Sequence, residues 1–124
     1  MQTPDTNDRY MLASFDGRCY AIPLKMLERV VANTRCAPWI GRGDVKGYSH
    51  VAGWMVWVLD ASRVFVDFEE VNVNGSWLLV LKEELGLCRV GVLADDIKGP
   101  VSQSKVQHIK RLQRRSLEMS LDQR

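Results

Sequence analysis

Apolar residues in this chain fall into short runs that are separated by glycine, proline and polar turn residues. The segments YMLASF and CYAIP flank Asp16 and Gly17 and predict a hairpin, because glycine reaches positive φ without a steric penalty. VKGYSHV and WMVWVLD flank Ala52 and Gly53 and predict a second hairpin. SWLLVLKEE and LCRVGVLADDI predict two further strands, and Gly91 predicts a bulge or a barrel corner. Short strands with little helix between them predict small β-barrels.

Three helical segments are expected beside these strands. Pro23 suits the first turn of a short connecting helix, and one face of that helix would hold Leu24, Leu27, Val30 and Val31. Asp60 follows an apolar strand and is expected to cap a single helical turn by accepting a backbone N–H bond. After Ser104 a C-terminal helix is predicted from an apolar stripe of Val106, Ile109, Leu112 and Leu117.

The apolar run from Trp54 to Leu59 leaves no polar face, so it predicts a central strand that is covered on both sides. Trp54 and Trp57 are three positions apart in this strand and are expected on opposite faces. Trp39 lies in an irregular segment, where it could be an exposed anchor for a partner or a plug that folds back onto the core.

Composition and charge indicate one ordinary soluble domain, or two very small ones that share a core. The chain has 124 residues, of which 46% are hydrophobic. Its polar first residues predict no secretory signal, and the longest apolar run is far shorter than the roughly 20 residues of a membrane helix. We therefore expect a cytoplasmic protein without membrane insertion. Residues 105–124 hold six basic and two acidic residues, a net charge of +4, whereas the whole chain carries +2. The expected organisation is a flexible terminus over 1–9, a domain over 10–104, and a basic helical or disordered tail over 105–124.

No catalytic, metal or cofactor motif stands out. The three cysteines form no C-x-x-C pair, which disfavours a zinc site or a disulfide framework, and Cys19 and Cys88 are expected to be buried thiols. His50 and His108 lack cysteines or acids at ligand spacing. Phosphate-binding glycine motifs are absent from the sequence. The sequence therefore predicts a protein without enzymatic activity, metal or cofactor.

The basic tail leaves one alternative function open. Lys105, Lys110 and three arginines could meet the phosphates of a single-stranded nucleic acid. The tail has no aromatic residue for base stacking, and the rest of the chain is mildly acidic, so nucleic-acid binding is the less favoured reading.

The order of three stretches resembles the CheW-like family of chemotaxis coupling proteins. These stretches are YAIPLKMLERVV, VKGYSHVAGWMVWVLDAS and SWLLVLKEELGLCRVGVLADDIKGPV. The resemblance implies an all-β fold of two small SH3-like antiparallel barrels that share an apolar core. It also implies a non-enzymatic adaptor, monomeric when free, that binds the regulatory domain of a CheA-like histidine kinase and the cytoplasmic tip of chemoreceptors.

One departure from the family concerns the second hairpin. Where the family typically carries Asn-Leu-Arg-Gly, this chain has His50, Val51, Ala52 and Gly53. Ala52 cannot bind a partner carboxylate as an arginine would, which leaves receptor docking open. It favours a divergent adaptor in a twitching-motility or other chemosensory array. The candidate partner-binding residues are Glu28, Arg29, Gly47, His50, Val51, Ala52 and Gly53, with Val90, Val92, Asp95 and Asp96 for a second partner.

Overall fold

The computed structural model describes residues 8–39, 45–69, 73, 75–82 and 89–115. In this part of the chain the backbone forms two β-sheets, one short α-helix and two 3₁₀ helices. The strands are β1 (Arg9–Phe15), β2 (Arg18–Pro23), β3 (Leu27–Val31), β4 (Ala37–Pro38), β5 (Val45–Val51), β6 (Trp54–Leu59), β7 (Trp77–Leu81), β8 (Arg89–Ala94) and β9 (Asp96–Ser102). Helix α1 spans Ala61–Val64, and the 3₁₀ helices span Leu24–Met26 and Gln103–Val106.

The smaller sheet contains three strands in the order β2-β1-β9. The predicted first hairpin is confirmed, with Tyr10 opposite Pro23 at one end and Phe15 opposite Arg18 at the other. The turn residues Asp16 and Gly17 have φ of 54° and 83°. Two consecutive positive φ values match the right-handed twist of the flanking strands, which is why a two-residue loop suffices.

The larger sheet has the order β3-β7-β8-β6-β5-β4, and strand β6 lies inside it as predicted. It pairs with β5 in antiparallel fashion and with β8 in parallel fashion. Val56 and Val58 are buried on one face of β6, and Leu59 joins the core on the other. The predicted cover is incomplete, because Trp54 and Met55 at the start of the strand are exposed.

The predicted connecting helix is only one turn long. The 3₁₀ helix Leu24–Met26 ends at once, and the following residues form β3, which pairs with β7. Val30 and Val31 are β-branched and fit a pleated sheet better than a helix. Helix α1 does follow Asp60, but the carboxylate of Asp60 does not cap it. The main-chain oxygen of Asp60 accepts the N–H of Arg63 at 2.9 Å instead, and the carboxylate lies 3.1 Å from the Lys46 ammonium.

The main core lies between the two sheets and contains an aromatic cluster. Phe15 and Phe68 meet edge to face with centroids 5.1 Å apart, and Tyr20 lies 5.0 Å from Phe68. A second cluster on the other face of the larger sheet contains Val56, Val58, Leu78 and Val80. Because both faces of this sheet are packed, the central strands need apolar residues in consecutive positions.

Gly91 allows close packing on this face of the larger sheet. The bulge or barrel corner that was predicted at Gly91 is absent. The register between β7 and β8 runs without a shift through Gly91, which pairs with Val80. A Cβ atom at this position would lie 2.9 Å from Leu78 Cδ1 and 3.0 Å from Val56 Cγ1. Glycine therefore lets β8 lie close beneath these side chains.

The described part of the tail, residues 105–115, differs from the predicted C-terminal helix. Beyond the 3₁₀ helix Gln103–Val106 the chain turns until Ile109 and then crosses the body in an extended form, with isolated bridges from Arg111 to Ala21 and from Arg114 to Phe65. Val106 and Leu112 are fully buried. Because its backbone groups bond to the body, this segment gains tertiary hydrogen bonds in place of helical ones. Leu117 lies outside the described residues, as do Cys88 and residues 1–7 of the expected flexible terminus.

Candidate partner-binding surfaces

The turn of the second hairpin presents a small apolar surface. Ala52 and Gly53 have φ of 50° and 85° and are exposed, so the backbone repeats the geometry of the first hairpin. Trp54 and Met55 follow directly and are 46% and 40% exposed. His50 is also exposed, and Val51 is half-buried against the second core cluster. Large exposed apolar side chains beside a turn are typical of a contact surface for another protein.

Glu28 is linked to this hairpin through Arg89 and Trp54, neither of which was among the partner-binding residues expected from the sequence. The guanidinium of Arg89 lies 4.3 Å from the centroid of the Trp54 ring, which is within cation–π distance. Arg89 Nη1 also lies 3.4 Å from Glu28 Oε1. Strands β3, β8 and β6 thus contribute one residue each to a stacked triad. We call the group of Glu28, Val51, Ala52, Trp54 and Arg89 the hairpin-end surface, whereas Met55 pairs with His50 and lies on the other face of the hairpin.

The sequence did carry a faint signal for this triad. Arg89 is the one charged residue within the strand stretch LCRVGVLA, and Trp54 opens an apolar strand beside a turn. Their proximity depends on the parallel pairing of β6 with β8, which places Arg89 beside Val56. Neither spacing nor composition predicts such a long-range register. Arg29, the neighbour of Glu28, is exposed on β3, where a bulge lies between Leu27 and Arg29.

An aromatic patch lies on the opposite face of the same hairpin. Trp39 meets the half-buried Trp57 with centroids 4.9 Å apart and Tyr48 at 6.4 Å, while Tyr48 also contacts His50 at 6.1 Å. Trp39 remains 41% exposed although it rests on this cluster. Trp39 is therefore exposed and packs on the surface of the sheet instead of plugging the core, and its role as an anchor for a partner stays a prediction. Trp54 and Trp57 lie on opposite faces as predicted.

The residues expected to bind a second partner do not form one surface. Val90 and Val92 have exposed fractions of 4% and 0% and belong to the main core, so the idea that they touch a partner is corrected by their burial. Gly47, expected at the first surface, is also buried, and a Cβ there would lie 2.5 Å from the Ala37 carbonyl oxygen. Central strands bury small and β-branched residues between packed layers. The strand pattern alone did not show that Val90, Val92 and Gly47 are buried in this way.

Asp95 and Asp96 lie at the edge of the smaller sheet, beside the first hairpin. Asp95 Oδ2 accepts the backbone N–H of Asp16 at 2.6 Å, so this carboxylate fixes the turn. Asp96 is exposed at the start of β9. Of the residues assigned to the second partner, these two alone bring an acidic group near the surface.

The thiols and potential metal ligands offer little chemistry. Among the described residues no three His, Cys, Asp or Glu side chains come together as a metal site. Burial raises the pKa of the Cys36 thiol, which disfavours the reactive thiolate. The prediction that Cys19 is buried is wrong. Cys19 is exposed and pairs with Ser14 on the outer face of the smaller sheet. Part of that face is covered by the cluster of Tyr10, Ala21 and Val106, but the cluster does not extend to Cys19.

The basic side chains of the tail bind the body of the protein. Lys110 Nζ donates to the carbonyl oxygen of Asp67 at 2.7 Å, and Arg114 Nη1 donates to that of Lys82 at 3.1 Å. The Arg111 guanidinium lies 5.1 Å from the centroid of the Tyr10 ring. These contacts hold the described part of the tail against the body.

Comparison with solved structures identifies the fold. The sequence matches no family model and none of the curated proteins. The scaffolding protein TtCheW from Thermoanaerobacter tengcongensis, known from its crystal structure, matches with a TM-score of 0.57 at 14% identity, over 78% of this chain and 67% of that chain. The protein has a CheW-like fold.

The CheW-like fold confirms the predicted all-β class, and the low identity fits a divergent member of that fold. Among the described residues the strand pairing does not close either sheet into a ring. None of the helices in that part of the chain has the length and apolar character needed to cross a bilayer.

Proposed function

We propose that this protein is a non-enzymatic cytoplasmic adaptor in chemotaxis-type signal transduction. It would couple the regulatory domain of a CheA-like histidine kinase to the cytoplasmic tip of chemoreceptors, or to a related array such as one for twitching motility. The observation that carries this proposal is the CheW-like fold over 78% of the chain, shared with a protein described as a scaffold. The free protein would be a monomer, and it would act through contacts alone, without metal or cofactor.

The hairpin-end surface is the proposed contact for the kinase domain. Tryptophan and arginine are enriched among the residues that dominate binding energy, and here Trp54 and Arg89 stack at the surface. The stack holds the Trp54 ring in one orientation before binding, which lowers the entropy cost of ordering it in a complex. Ala52, exposed at the turn, extends the apolar area beside it. The acidic corner at Asp95 and Asp96 is the proposed contact for a second partner.

A matched pair of substitutions tests the first contact. Ala52→Asp and Ala52→Asn place side chains of the same size in a left-handed turn that both residues tolerate. Only the aspartate adds a charge to the apolar surface. We expect the Ala52→Asp variant to bind the kinase regulatory domain at least tenfold more weakly than Ala52→Asn by calorimetry, with equal melting temperatures. Equal affinities would exclude this surface from the contact.

The wider proposal has its own test. The purified protein should form a complex with the regulatory domain of a CheA-like kinase encoded by the same organism, detected by co-elution in size-exclusion chromatography. A folded protein that binds none of these kinases would contradict the adaptor function. Binding that survives Ala52→Asp would instead leave the function standing and move the contact elsewhere.

The nucleic-acid alternative is not proposed. Lys110 and Arg114 donate to main-chain oxygens of the body, and Arg111 covers a tyrosine ring, so three of the tail cations are engaged. A protein that uses its cations in this way presents fewer of them to phosphates. Retention on single-stranded DNA at low salt, lost steeply as salt rises, would be the result that revives this function.

A further inference from the structure

Residues 106–115, which we call the strap, form backbone hydrogen bonds with the edge strand β2 and with the C-terminal end of helix α1 and the residues after it. On the smaller sheet, the Ala21 N–H donates to the Lys110 oxygen at 2.8 Å and the Leu112 N–H donates to the Ala21 oxygen at 2.9 Å. At the end of α1 the Arg115 N–H donates to the Val64 oxygen at 2.7 Å, and just after the helix the Val66 N–H donates to the Gln113 oxygen at 2.9 Å. The strap therefore joins the outer edge of β2 to the end of α1 and the residues that follow it.

The strap has few apolar anchors. Val106 and Leu112 are fully buried and Ile109 is partly buried, but most of its other residues are exposed. Its pairing consists of two isolated bridges, whereas β7 and β8 share a continuous ladder of five residue pairs. Segments with few buried contacts and exposed hydrogen bonds open at a lower free energy than the rest of the protein. The structure thus separates a weakly anchored strap from two firmly packed sheets.

The basic side chains of the strap attach it to the body through contacts that a competing segment can displace. Residues 105–115 contain five basic and no acidic residues. Lys110 is near enough to Glu69 to lower the pKa of that carboxyl, although the Arg18 guanidinium at 2.8 Å is the larger cause. Lys110, Arg114 and Arg115 donate hydrogen bonds to main-chain carbonyl oxygens, and the Arg111 guanidinium lies over the Tyr10 ring.

We propose that the strap is a detachable clasp that opens as a unit while both sheets stay folded. Its release uncovers the outward N–H and C=O groups of Ala21 and the N–H of Val66, which are paired with the strap when it is closed. A strand edge with free donors and acceptors accepts an extended segment from another chain. The clasp thereby controls access to a strand-addition edge on β2. This inference does not depend on the proposed adaptor function.

Native-state hydrogen exchange on the full chain tests the clasp. The amides of Ala21, Val66, Leu112 and Arg115 should exchange as one group, at least 100-fold faster than those of the β7–β8 ladder. Val80→Ala supplies the control, because Val80 is buried in the second core cluster, away from the strap. It should speed exchange in the β7–β8 ladder tenfold or more and change the strap group less than twofold. Equal acceleration of both groups would show that the strap opens only with global unfolding.

Peptide exchange tests the uncovered edge. A labelled peptide with the sequence of residues 106–115 competes with the resident strap, so its apparent affinity is set by the open fraction. Leu112→Ala in the full chain removes a buried anchor and should raise this affinity at least tenfold over the wild-type chain. The same peptide carrying Leu112→Ala serves as the control and should bind more weakly. Equal binding to both chains, or to neither, would overturn the strand-addition edge.

Discussion

The guanidinium carbon of Arg89 lies 4.3 Å from the centre of the Trp54 ring, and the same side chain lies 3.4 Å from Glu28. This stack joins three strands that are far apart in sequence. Only 18% of the Arg89 side chain is exposed, whereas Trp54 is 46% exposed. Arg89 therefore supports the tryptophan from beneath and leaves its outer surface available to a partner.

The Arg89–Trp54 contact should show a measurable coupling energy. Arg89→Lys keeps the charge but loses the planar group that stacks on an aromatic ring. In a double-mutant cycle with Trp54→Leu, followed by urea unfolding, we expect a coupling of about 0.5–1 kcal/mol. Arg9→Lys, in the other sheet, should show no coupling with Trp54→Leu. A coupling indistinguishable from that control would mean that the stack contributes nothing to folding.

Ala52 should be a site where the protein can be stabilised. Its φ of 50° is costly for a residue with a Cβ atom, whereas glycine and asparagine adopt this region more readily. We expect Ala52→Gly to raise the free energy of unfolding by about 0.5–1 kcal/mol, since the relief of strain exceeds the added entropy of the unfolded chain. Chemical denaturation measures this change. A loss of stability would show that the methyl group of Ala52 packs in a way that offsets the strain.

Gly91 should tolerate no side chain. Because a Cβ atom would lie 2.9 Å from Leu78 Cδ1 and 3.0 Å from the Leu79 carbonyl oxygen, Gly91→Ala forces neighbouring strands apart. We expect a loss of about 1–3 kcal/mol in the free energy of unfolding. Gly53→Ala is the matched comparison, because a Cβ there meets nothing within 4 Å and only backbone strain applies. A smaller loss at Gly91 than at Gly53 would contradict the packing argument.

The two described cysteines should differ in reactivity. Cys19 is exposed, whereas burial raises the pKa of Cys36 and reduces its thiolate fraction at neutral pH. In a Cys88→Ser background, iodoacetamide at pH 7.5 should alkylate Cys19 at least tenfold faster than Cys36. Peptide mapping by mass spectrometry would follow both sites. Because burial raises the pKa of Cys36, its alkylation rate should continue to rise as the pH is increased above neutrality. Similar rates at both thiols would contradict the burial of Cys36.

The fold class could be predicted from the sequence, and the candidate site only in part. The turns at Asp16-Gly17 and Ala52-Gly53 have local signatures, so both hairpins were correctly placed. Glu28 and the second hairpin were chosen for the same partner, and Arg89 and Trp54 bring them together. Arg89 itself was missed, because the residue patterns of β6 and β8 do not show that these two distant segments pair in parallel. Val90 and Val92 were chosen for a partner and are instead core residues.

By itself, the sequence determined the features that depend on neighbouring residues: short apolar strands, two tight turns and the central position of β6. Those features follow from local backbone preferences and from the two-residue period of a strand. Tertiary structure alone decided that Leu27–Val31 is a strand and that residues 110–115 of the basic tail lie extended across the body. In both cases a helical pattern was present, but backbone groups gained hydrogen bonds to distant strands while the apolar side chains still reached the core. Long-range pairing outweighed local helical propensity because it supplied hydrogen bonds for the backbone groups and buried the apolar side chains at the same time.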